Sequence, residues 1–119
     1  MKKYTDSLRG YAFKVMPRDR FTCRYCGLDG RRNYDAWLTL SWDHLLPKGH
    51  ADRDNPVYIV AACNFSNTAD NRYFDNAEKR DISFDGLSQE ELVVQRKAYV
   101  DRTRSKYHEF WMENVAKAT

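Results

Sequence analysis

The feature that most constrains this chain is a pair of thiols with two residues between them, Cys23-Arg24-Tyr25-Cys26, followed by Gly27. A turn of that length aims both sulfurs at one point, and glycine permits the positive φ that a tight backbone often needs. Such a pair is either a metal knuckle or a redox couple. No thioredoxin-like βαβ pattern surrounds it, which favours the knuckle. Cys63 brings the count to three, an odd number that a disulfide framework does not accommodate.

Between the thiols lie two β-like runs. Trp37 to Asp43 alternates, with Leu38, Leu40 and Trp42 on one face and Thr39, Ser41 and Asp43 on the other, so Asp43 is expected on the polar side of a half-buried strand. Val57-Tyr58-Ile59-Val60-Ala61-Ala62 reads as a second strand, closed by Cys63. The connection from Leu45 to Pro56, with Pro47, Gly49, Asp52, Asp54 and Asn55, is a loop of about a dozen residues, a length that is usually functional or mobile. From Asn64 the pattern turns helical, placing Asn67 and Asn71 on one face. The middle of the chain therefore reads strand, loop, strand, helix.

At either end a helix is expected. Thr5, Asp6 and Ser7 offer caps, Leu8, Tyr11, Ala12 and Val15 follow at helical spacing, and Pro17 should end that segment. Asp29 to Asp35 is loop-like, as is Asp81 to Gly86. Ser88-Gln89-Glu90-Glu91 is a capping box that starts a long helix reaching Val115. Val93, Val100, Tyr107 and Trp111, flanked by Leu92, Tyr99 and Phe110, form its apolar stripe, with Arg96, Lys97, Arg102, Arg104 and Lys106 on the other sides.

At 119 residues the chain is expected to form one α+β domain. No run approaches the roughly 18 apolar residues of a membrane helix, and the first residues lack the apolar segment of a secretory signal, so no membrane partner and a cytoplasmic location are expected. Twenty Lys and Arg against 17 Asp and Glu give a net charge of +3. Arg18, Arg20, Arg24, Arg31 and Arg32 crowd around the thiol pair, a distribution compatible with nucleic acid or with a solvated face.

Taken jointly, Cys23-x-x-Cys26, Asp43-His44 with Pro47, and Cys63-x-x-Ser66-Asn67 resemble the HNH endonuclease family, over roughly Phe21 to Phe74. The resemblance implies a ββα-metal core (residues 21–80) flanked by the N-terminal helix and the long C-terminal one (88–115). It implies His44 as general base, with Asp43 and Asn67 holding one divalent ion and Asn71 as a further candidate ligand. Oxygen ligands suit Mg²⁺ or Mn²⁺. It also implies structural zinc on Cys23, Cys26 and Cys63, and DNA as partner, with Lys48, His50, Arg53 and Arg72 as candidate phosphate contacts.

Two positions depart from the family pattern. Ser66 stands where the fourth zinc cysteine is expected, and Tyr58 stands where the family has its middle Asn, with Asn55 three residues earlier as a candidate support. These departures keep a second reading open, a non-catalytic zinc-knuckle module that binds nucleic acid. A third is a structural component docked through the long helix.

Overall fold

The computed structural model describes residues 11–68, 73–74 and 83–118. Helix α1 spans Tyr11–Arg18, with Pro17 next to last; the expected caps Thr5, Asp6 and Ser7, and Leu8, lie outside the described residues. The chain then reverses through Arg20 and Phe21, both at positive φ (56° and 55°), and the Phe21 amide donates to Met16 O at 2.8 Å.

The thiol knuckle follows. Thr22 bridges Asp29, Cys23 N donates to Leu28 O at 2.9 Å, and Gly27 N donates to Cys23 O at 3.0 Å. Gly27 has φ +79°, the left-handed conformation the sequence anticipates. Gly30 is needed for a different reason. A Cβ there would run into the Leu40 side chain and the Phe21 carbonyl, which accepts from Gly30 N.

Helix α2, Tyr34–Leu38, occupies residues expected as loop and early strand. Its cause is local: the Asn33 side chain caps Ala36 N at 2.8 Å, and Asp35 sits in the first turn, where the helix dipole favours an anion. Strand β1 therefore begins only at Leu40 and runs to His44. It pairs antiparallel with β2, Ile59–Cys63, with Asp43 opposite Val60 and His44 opposite Ile59. Val57 and Tyr58 are not strand. They form a 3₁₀ turn, Pro56–Tyr58, capped by the Asn55 side chain at 3.0 Å from Val57 N.

Strand β2 is buried at all five positions. Its outer edge is closed by the N-terminal third of the chain: Arg24 N donates to Ala61 O at 2.9 Å and Ala61 N to Asp19 Oδ2 at 2.8 Å. Arg18 Nη2 reaches Ile59 O at 2.6 Å. Unpaired edge groups are thereby satisfied, and the knuckle is fastened to the strand that ends in Cys63. Helix α3, Asn64–Thr68, leaves β2 directly.

Helix α4, Gln89–Phe110, starts at the expected capping box, with Ser88 and Glu91 bonded reciprocally. It buries Leu92, Val93, Arg96, Tyr99 and Val100 against a core of Cys23, Tyr25, Leu45, Leu46, Val60, Ala62 and Cys63. Beyond Val100 the anticipated stripe emerges: Tyr107 is 60% and Phe110 62% exposed. The geometry explains this, since 22 helical residues extend roughly 33 Å while a five-residue strand spans roughly 16 Å, so the helix outruns the sheet. A π-helical turn, Trp111–Val115, replaces the α-helix expected there. The result is a mixed α and β fold with a two-stranded sheet, a long C-terminal helix and clustered cysteines. Among the described residues no helix is long and apolar enough to cross a membrane.

Candidate functional site

Because the knuckle is hydrogen-bonded to β2, its thiols arrive beside the end of that strand. The sulfurs of Cys23, Cys26 and Cys63 lie within 4.8 Å of one another, with Cys26 and Cys63 3.6 Å apart. Thiolates held roughly 2.3 Å from a tetrahedral zinc would sit roughly 3.8 Å apart, so the spacing fits. The three cysteines could hold a metal ion, and their soft sulfur donors are compatible with zinc.

Hydrogen bonding among these thiols pushes their acidities apart. The hydrogen bond from Cys23 holds Cys63 well below the ordinary thiol range against the opposing effect of burial, with Ser66 and Cys26 assisting. The same bond, together with burial, pushes Cys23 up. Ser66 is fully buried, with its Oγ 3.2 Å and its amide 3.4 Å from Cys63 Sγ. From α4, Arg104 Nη2 reaches Ser66 Oγ at 3.3 Å and Cys63 Sγ at 3.8 Å, with the guanidinium 4.7 Å over the Phe65 ring.

Asp43 and His44 define a second locus. Asp43 is not on the polar face of β1 as the alternation predicts; it is 7% exposed, the one buried residue of that strand. The reason is its partners. Tyr25 OH donates to Asp43 Oδ2 at 2.7 Å, and Arg96 Nε donates to the same oxygen at 3.3 Å. Burial pushes the Asp43 carboxyl up, while the Arg96 charge and the Tyr25 hydroxyl hold it back. Arg96, expected on a solvated side of the helix, is itself 5% exposed and stacks 4.6 Å over Tyr73. Its Nη2 also reaches the Asn67 carbonyl at 3.4 Å, so one guanidinium ties β1 to α3.

His44, on the alternate face, is half-buried. Its Nε2 is 3.6 Å from Asp54 Oδ1, which is also 3.6 Å from Arg53 Nη1. Burial lowers its pKa, Arg53 lowers it further, and Asp54 and Asp43 oppose both. The net effect favours the neutral imidazole.

The remaining expected residues divide. Arg53 and His44 both approach Asp54 Oδ1, each at 3.6 Å. His50 is placed elsewhere: its Nδ1 accepts from Asp52 N at 3.0 Å and its Nε2 contacts Asp85 Oδ1 at 2.9 Å, which fastens the loop to the segment before α4. Lys48 is exposed on the loop. The Asn55 side chain caps the 3₁₀ turn before β2, a local contact with Val57 N. Asn71 and Arg72 lie outside the described residues.

Tyr25, Arg96 and Arg104 are the contributors that patterning did not single out. The Arg96 signal was present in its spacing, three or four residues from Leu92, Val93, Tyr99 and Val100, all buried. No family model, no curated protein and no solved structure matches this chain.

Proposed function

We propose that this chain is a metal-dependent endonuclease of the HNH type, hydrolysing DNA phosphodiester bonds with His44 as general base and one divalent ion held by Asp43 and Asn67. The observation that carries this reading is that Arg96 ties Asp43 on β1 to the backbone carbonyl of Asn67 on α3, with His44 next to Asp43 in the strand. The cysteines would brace this core through a structural zinc.

The donor set fits a hard cation with weak intrinsic affinity. Both bonds that Asp43 accepts fall on Oδ2, so Oδ1 would be the oxygen available to a cation. Arg96 offsets the carboxylate charge, so binding would be completed by DNA phosphate, in keeping with the preference of Mg²⁺ for one or two carboxylates plus substrate. A bound Mg²⁺ or Mn²⁺ would supply charge stabilisation at the scissile phosphate and the leaving oxygen. His44 would take the proton of the attacking water as the P–O3′ bond breaks, and solvent would protonate the leaving 3′-oxygen, so that the products carry 5′-phosphate and 3′-hydroxyl ends. Arg53, beside His44, and the exposed Lys48 contribute phosphate affinity.

The guanidinium on Asp43 also favours a second reading, a module that binds DNA without cutting it. Supercoiled plasmid incubated with the protein and Mg²⁺ or Mn²⁺ separates the two. The nuclease reading expects nicking that EDTA abolishes and that His44→Ala lowers by roughly 10²–10⁴-fold. Salt-sensitive binding with no nicking in either metal would select the binding module.

A further inference from the structure

We infer that the cysteine site is closed at its fourth corner by the Ser66 hydroxyl, with Arg104 as the charge partner that makes a serine suitable there. The inference rests on the metal reading of the three thiols and is independent of the nuclease reading.

Position is the first argument. In a tetrahedral site a hydroxyl oxygen and a thiolate sulfur would stand roughly 3.5 Å apart. Ser66 Oγ is 3.2 Å from Cys63 Sγ. The residue is fully buried, which restricts the approach of bulk water to this corner, and its place on the first turn of α3 brings it against the Cys63 sulfur.

Charge is the second. A divalent ion with three thiolates carries one net negative charge, and a fourth thiolate would make it two. Arg104 adds one positive charge, with Nη2 3.3 Å from Ser66 Oγ and 3.8 Å from Cys63 Sγ. Three cysteines, a neutral hydroxyl and one guanidinium therefore sum to zero, the cheapest total in a partly buried site. The stacking of Arg104 on Phe65 fixes the fork, and N–H donors to ligating sulfur and oxygen are the outer contacts that tune a metal site.

The test uses Co²⁺ as a spectroscopic probe on the full chain, reading affinity and visible absorption for wild type, Ser66→Ala, Ser66→Cys, Arg104→Met and Arg104→Lys. Ser66→Ala should bind more weakly and shift the d–d bands. Ser66→Cys should add sulfur-to-cobalt charge-transfer absorption. Arg104→Met should weaken binding by roughly 10–100-fold, the usual cost of losing an outer partner, and Arg104→Lys by less, because the charge survives. Far-UV circular dichroism confirms that each variant is folded; if Arg104→Met is not, Arg104→Lys carries the comparison. Bands and affinity unchanged in Ser66→Ala would mean that water closes the site and would overturn the assignment. Wild-type affinity in the Arg104 variants would overturn the charge argument. Failure of the wild-type chain to bind Co²⁺ would remove the metal reading and this inference with it, whatever the plasmid assay shows.

Discussion

Arg96 and Arg104 leave the same helix roughly two turns apart and land on different sites. Arg96 is enclosed, pairs with a carboxylate that Tyr25 also holds, and bonds the backbone of α3. Arg104 lies where the helix is emerging from the core and donates to a thiol and a hydroxyl. The two contacts therefore have different weights. A buried ion pair is costly to break because the survivor is stranded, whereas Arg104 is itself exposed and its loss leaves a thiol and a hydroxyl that still bond each other. Around Asp43 the arginine is part of the fold; around Cys63 it adjusts a site that the knuckle has already assembled.

The largest effect on stability is therefore expected at Arg96. Arg96→Met strands Asp43 and should cost about 3–5 kcal/mol in denaturant unfolding, whereas combining it with Asp43→Leu should recover much of the loss. A double variant as unstable as the single one would mean that Arg96 matters through its stack on Tyr73 and not through the carboxylate. Tyr25→Phe removes one donor from the buried carboxylate and should cost about 1.5–3 kcal/mol, measured the same way.

Smaller effects are expected at His44. Its pKa is lowered, chiefly by burial, so under the nuclease proposal cleavage should stand on a plateau at pH 7 and decline only as pH falls through that depressed value. Arg53→Gln removes a charge that lowers it, and should move the acid limb to higher pH. Asp54→Asn should move it the other way, since Asp54 favours the protonated ring. Profiles that coincide for all three proteins would separate His44 from the rate.

The strand–loop–strand–helix order and the convergence of the three thiols were legible because each rests on short-range signals: a Cys-x-x-Cys with glycine, a β-branched and apolar run, an Asn-bearing helix start. The capping box at Ser88 was legible for the same reason. What patterning misread depends on tertiary contacts. Asp43 looks polar-faced by alternation, but a phenol and a guanidinium from distant segments make its burial affordable. Trp37 and Leu38 read as strand until the Asn33 cap imposes a helical turn. Tyr107 and Phe110 belong to an apolar stripe by spacing, yet the sheet is too short to cover them. By its charge Arg96 reads as solvated, although its spacing from Leu92, Val93, Tyr99 and Val100 points inward.

The most direct test of the nuclease account is a Mn²⁺ titration of plasmid nicking by wild type, Asn67→Ala and His44→Ala. The account predicts that Asn67→Ala requires at least about tenfold more metal for half-maximal nicking, by analogy with the loss of a metal-site partner, while His44→Ala loses rate without a shift in metal requirement. Nicking that persists in EDTA, or His44→Ala nicking at the wild-type rate, would contradict it.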